Sequence, residues 1–94
     1  MMKYAVKYTS QFKRDLKKAK KQGKDIDHLF DVIEQLANGA VLPVTYRDHS
    51  LAGNYKGCRE CHIAPDWLLI YDYIDDVLIL SLTRIGSHAD LFNM

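Results

Sequence analysis

The sequence predicts an α+β domain of order β-α-α-β-β-β, with two N-terminal helices packed on one face of a mostly antiparallel four-stranded sheet. Three observations lead there. A short alternating stretch opens the chain, two amphipathic stretches of helical period follow, and three strand-like segments joined by tight turns close it. Helices followed by a run of strands, rather than strict alternation of the two, point to an antiparallel α+β layout. The 94 residues are 48% hydrophobic and make one domain, residues 1–94, without repeats or linkers. A chain of this size buries roughly 60–70% of its unfolded surface, enough for one core without staples.

The elements follow in order. KYAVKY (3–8) alternates and is rich in β-formers, which predicts the first strand. Thr9 and Ser10 offer an N-cap. Phe12, Leu16 and Ala19 lie at spacings of four and three, one face of a helix that Gly23 stops. Asp25 or Asp27 can cap a second helix, whose stripe is Ile26, Leu29, Phe30, Ile33, Leu36 and Ala37 and whose end is Asn38-Gly39. AVLPVTYRDHSLAG (40–53) has no period and reads as a long loop, a common place for function. NYKGCRECHI (54–63), DWLLIYDYI (66–74) and VLILSLTRI (77–85) read as strands, with turns at Ala64-Pro65 and Asp75-Asp76. The second of these is apolar on both faces, as a central strand is. GSHADLFNM closes the domain. One sheet face must bury against the helices, and the other is open to polar side chains of the last three strands.

Composition narrows the function classes. No run approaches the roughly 20 apolar residues of a membrane span, and MMKYAVKYTS has no apolar core segment, so a cytoplasmic protein is expected. Residues 1–24 carry eight lysines and Arg14 against Asp15, a net +8, while the rest carry Arg47, Lys56, Arg59 and Arg84 against eleven acids, a net −7. Such asymmetry marks a surface for nucleic acid or an acidic partner, although a lysine-rich helix can also be merely solvated. Cys58 and Cys61 form a CxxC without a second pair. In a strand they would point to opposite faces about 10 Å apart, too far for a disulfide, so they read as structural thiols.

The chemistry lies at element boundaries. His49 ends the long loop, His62 ends a strand, His88 follows the last strand, and Asp66 starts the central one. Groups at strand ends can converge on one rim. Histidine titrates near neutrality, and several histidines with an aspartate and nearby arginines suit acid–base cleavage of a phosphodiester. That scheme calls for no metal and no cofactor. Zinc is the competing reading of three His and Asp, but no two of the histidines have HxH, HxxH or HxxxH spacing. His28 reads as a surface residue. Taken bare, Trp67 and the six tyrosines read as core more often than as base-stacking platforms. If the loop at Ala64-Pro65 holds an odd number of residues, His62 and Asp66 share a sheet face, and the odd loop is expected.

YRDHSLAGNYKGCRECHIAPDWLLIY followed by TRIGSHADLF resembles the YafQ branch of the RelE/ParE toxin superfamily, whose pattern is approximately DH-x-L-x-G-x-(Y/W)-K-x-x-R-(D/E)-x-H-(I/V)-x-P-D-W-(I/L)-L-(I/V)-Y and then R-x-G-(S/T)-H-x-x-L-F. The match covers about half the chain. The resemblance implies a RelE-like fold and a toxin of a type II toxin–antitoxin pair. It also implies ribosome-dependent cleavage of translated mRNA and neutralisation by a DinJ-like antitoxin in a hetero-oligomer. By the same resemblance His49, His62, Asp66 and His88 would be catalytic, with His88 the general acid. Lys56, Arg59 and Arg84 would bring positive charge to the scissile phosphate, and Trp67 and Phe92 would stack on or wall in a base. Lys13, Arg14, Lys17, Lys18, Lys20 and Lys21 would grip ribosomal RNA, since helix lysines bind phosphate without reading bases. Two other functions remain open at this point: a ParE-like inhibitor of DNA gyrase, and a non-enzymatic nucleic-acid or antitoxin-binding module.

Overall fold

The computed structural model describes residues 2–92; of the closing tail, Asn93 and Met94 lie outside them. The elements are β1 (Ala5–Tyr8), α1 (Ser10–Lys21), α2 (Ile26–Ala37), β2 (His49–Ser50), β3 (Arg59–Ala64), β4 (Trp67–Ile74), β5 (Ile79–Gly86) and α3 (His88–Phe92). One mixed sheet has the order β1-β5-β4-β3-β2, with β1 parallel to β5 and the other pairs antiparallel. The predicted α+β order therefore holds, with five strands in place of four. The added strand, His49–Ser50, is too short to leave a sequence period, and it forms because β3 offers an open edge. The tail adds the short helix α3.

The helices form where their caps allow. The Thr9 hydroxyl accepts from the Phe12 amide at 3.0 Å, and the Asp25 carboxylate accepts from the His28 amide at 3.0 Å. Gly23, at φ +73°, supplies the left-handed residue after α1. Phe12 and Ala19 of α1 and Leu29, Val32, Ile33, Leu36 and Ala37 of α2 enter the main core. Burying each large apolar side chain is worth about 1.5–3 kcal/mol. The predicted stripe of α2 is out of phase at one edge: Val32 is fully buried, while Phe30 is 37% exposed.

Strand β4 sorts its residues by parity. Trp67, Leu69 and Tyr71 face the helices, and Leu68 and Ile70 face the other side, where Leu91 of α3 covers them. The second face is thus only partly open: α3 and the turn at Gly53–Tyr55 roof it over and leave a polar rim beside them. Among the described residues, no helix is long and apolar enough to cross a membrane.

The β3–β4 turn departs from expectation. The loop between the strands holds two residues, Pro65 and Asp66, not an odd number. A bulge between His62 and Ala64 supplies the missing odd residue: His62 pairs with Leu68, and Ala64 pairs with Trp67. Bulges re-aim side chains in this way. His62 consequently lies on the α3 face, and Asp66, in the turn itself, reaches the same side.

Candidate active site

Three elements carry a row of imidazoles. His49 on β2 and His62 on β3 have ring centroids 6.4 Å apart. His62 and His88, at the start of α3, are 5.9 Å apart in an edge-to-face arrangement. Phe92, one turn along α3, stands 6.4 Å from His88 and meets Tyr55 edge-on at 5.7 Å. The row forms because β2 pairs with β3 and because α3 folds back over the sheet.

Each imidazole has a different support. Asp66 accepts from the backbone amide of His88 at 3.0 Å, and its Oδ1 lies 2.7 Å from His88 Nδ1. Those hydrogen bonds, the backbone one foremost, hold the Asp66 carboxyl below its usual range. With Nδ1 engaged, Nε2 of His88 is the nitrogen left for chemistry. His62, 16% exposed, has its pKa lowered chiefly by burial, against the pull of the Glu60 charge. Burial therefore favours its neutral form. His49 Nδ1 lies 2.6 Å from the carbonyl oxygen of Arg47. Under His49 and His62 sits the Glu60 carboxylate, 4% exposed.

A family model described as bacterial toxin of type II toxin–antitoxin system, YafQ, matches residues 4–93. The chain belongs to this family of toxins. The mRNA interferase toxin YafQ of Escherichia coli K12 is 40% identical over 93 residues, which cover 98% of this chain and 99% of that one. A chain in the crystal structure of the E. coli DinJ–YafQ toxin–antitoxin complex superposes with a TM-score of 0.87 at 39% identity, covering 97% of this chain and 99% of its own. A metal-bound toxin from Helicobacter pylori superposes with a TM-score of 0.89 at 39% identity, covering 98% of this chain and 100% of its own. Among the described residues of this chain, no group of three or more His, Cys, Asp and Glu is placed to hold a metal ion.

Not every residue that the YafQ resemblance singled out joins the row. His49, His62, Asp66, His88 and Phe92 do. Arg59 does not: it pairs with Tyr71 on the helix side of the sheet, where Asp48 binds it at 2.8 Å and also accepts from the Tyr71 hydroxyl. Trp67 does not either. It is 4% exposed and belongs to the main core. The reason is strand alternation: Arg59 and Cys61 share one face, Glu60 and His62 the other. Arg84 is on the rim side, paired with Ile70, but Asp15 of α1 grips its guanidinium through Nε at 3.0 Å and Nη2 at 2.9 Å. That pair holds Arg84 firmly charged. Lys56 follows the Gly53–Tyr55 turn and is exposed.

The basic helix is mostly free. Lys13, Arg14, Lys17, Lys20 and Lys21 are exposed, whereas Lys18 bonds Asp90 of α3 at 3.1 Å. A cavity of about 490 Å³ runs between α1 and the β5–α3 turn, with Arg14, Lys18, Arg84, Asp66 and Ser87 in its walls. The CxxC separates as expected: Cys61 is in the main core and Cys58 packs on the second one, and both are free thiols. Burial drives the Cys61 pKa far above its usual value.

Sequence reasoning missed Glu60 and Asp15 as site residues. Glu60 could have been found, because it is two residues from His62 on a strand and so must share its face. Asp15 could have been found as the one acid between Phe12 and Ala19 on the buried side of a basic helix.

Proposed function

We propose that this toxin is an endoribonuclease that cuts translated mRNA on the ribosome, and that a DinJ-like antitoxin neutralises it as a hetero-oligomer. The observation that carries the reading is the convergence of three imidazoles from three separate elements, one of them oriented by a carboxylate. A pure inhibitor or binding module has no need of that arrangement. The E. coli relative named mRNA interferase toxin YafQ and the E. coli DinJ–YafQ toxin–antitoxin complex support the interferase and antitoxin parts of this reading.

In the proposed reaction, His62 takes the proton of a ribose 2′-hydroxyl. The freed oxygen attacks the adjacent phosphorus, and the phosphorus–5′-oxygen bond breaks. His88, with Asp66 behind Nδ1, gives the proton from Nε2 to the leaving 5′-oxygen. The products are a 2′,3′-cyclic phosphate and a 5′-hydroxyl. His49 and Arg84 offer positive charge to the phosphorane. Phe92 offers a ring beside His88 on which a base can stack. The exposed basic face of α1 would hold ribosomal RNA, and the cavity beside it would lead the message to the rim. These steps require neither metal nor cofactor, and the ribosome as partner places the protein in the cytoplasm.

The test is cell-free translation with primer extension on the message. Wild type should give ribosome-dependent cuts, and His88→Ala should lose about 10²–10⁴-fold in rate. Translation left intact by the wild type would refute the reading, and a supercoiling assay for gyrase inhibition would follow.

A further inference from the structure

Glu60 is buried, and one of its oxygens, Oε2, finds no hydrogen-bond partner. The other, Oε1, lies 3.4 Å from His49 Nε2 and 3.6 Å from His62 Nε2. A buried carboxylate left without a positive neighbour is strongly disfavoured. His49 is the neighbour best placed to supply the charge. Its Nδ1 already faces the Arg47 carbonyl oxygen at 2.6 Å, so both of its nitrogens face acceptors. A neutral imidazole has one N–H and one lone pair and would set that lone pair against one of them. The imidazolium, with two N–H donors, turns one to the Arg47 carbonyl and sets its charge beside the Glu60 carboxylate. The remaining charged or titratable groups facing this cluster are Arg47, before β2, and His88, on α3, with Asp66 bonded to it; Asp48 is engaged by Arg59 and Tyr71 on the opposite face.

We propose that Glu60 is a positioning residue that keeps His49 as an imidazolium and holds neutral His62 with its proton on Nε2, leaving Nδ1 of His62 free to act as the base. One buried carboxylate would then separate two like residues into two roles: His49 the fixed cation and His62 the proton acceptor. The roles rest on the ribonuclease reading above, whereas the charge states are properties of the free protein.

The experiment is two-bond ¹H–¹⁵N correlation NMR on the full chain at pH 7, which reads the protonation of each imidazole nitrogen. His49 should show two protonated nitrogens and His62 one, at Nε2. A neutral His49 in the wild type would overturn the proposal, whether or not any variant folds. In Glu60→Gln, His49 should become neutral while the His88 signals, held by Asp66, stay in place. Its cleavage rate should fall about 10²-fold, the scale of losing one preorganised charge at a reacting phosphate. A spectrum unchanged in Glu60→Gln would also overturn the proposal, since a merely structural carboxylate would leave the imidazole charges alone. Wild type that shows the charged His49 but cuts no message would support the charge assignment and refute the ribonuclease reading separately.

Discussion

Removing the Asp15 carboxylate should loosen the attachment of α1 to the sheet. Asp15 is 9% exposed and accepts four hydrogen bonds. They come from Gln11 Nε2 at 3.1 Å, Arg84 Nε at 3.0 Å, Arg84 Nη2 at 2.9 Å and the Ile85 amide at 3.2 Å. The last is a β5 backbone group beyond the reach of β1, which pairs only as far as Leu82. Asp15→Ala strands both the guanidinium and that amide. Breaking a buried pair from one side costs about 3–5 kcal/mol. The Arg84 side chain is 24% exposed, so water reaches it and the lower end, about 3 kcal/mol, applies. For a domain of this length the melting temperature should drop by roughly 10–25 °C. Asp15→Asn keeps one oxygen for the Ile85 amide but loses the charge and turns its NH2 toward Arg84 Nη2 and Gln11 Nε2, so it should recover only part of the loss, leaving about 1–3 kcal/mol. Urea denaturation of wild type, both variants, Arg84→Ala and the double variant gives the cycle. A coupling below about 0.5 kcal/mol between Asp15 and Arg84, or an Asp15→Ala protein as stable as wild type, would refute the reasoning.

Three further outcomes are expected. Burial lowers the His62 pKa below its ordinary 6.5, so the unfolded chain binds that proton more tightly. Its effect on stability is nil above that pH and destabilising as pH falls below it, by at most about 1.4 kcal/mol per pH unit. Denaturation midpoints between pH 7 and 5 should therefore fall more steeply for wild type than for His62→Asn. Trp67, the sole tryptophan, is 4% exposed, so its fluorescence should resist acrylamide and stay unchanged when RNA binds. Trp67→Ala should destabilise by about 3–5 kcal/mol, which denaturant titration checks. Replacing Lys13, Lys17, Lys20 and Lys21 with Gln should weaken ribosome association and flatten its salt dependence by about one unit of slope for each phosphate no longer neutralised. Lys18→Gln should do less, because that ammonium is already paired with Asp90.

Much of the domain could be read along the chain. Caps, periodicity and parity are local, so Thr9, Asp25, the stripe of α2 and the two-faced strand Trp67–Ile74 announce themselves within a few residues. The histidines and Asp66 were legible as chemistry because they cluster at element ends, and the YafQ pattern ordered them. Less legible were elements that exist only through a partner. Strand β2 is two residues long and is a strand because β3 lies beside it. The bulge at Ile63 depends on how β3 meets β4, and it decides where His62 and Asp66 point.

By itself, then, the sequence determined the order of helices and strands, the basic first helix, the separation of Cys58 from Cys61, and the placing of imidazoles and a carboxylate at element ends. Those properties depend on residue type and on spacings of two to four, which the backbone period converts into a shared or opposite face. Only the tertiary structure decided which of the expected groups meet. It gathered His49, His62 and His88 into one row, turned Arg59 and Trp67 to the far side, and seated Glu60 beneath two imidazoles. The physical reason is that meetings between residues tens of positions apart are chosen by strand pairing and packing, and no local pattern carries that information.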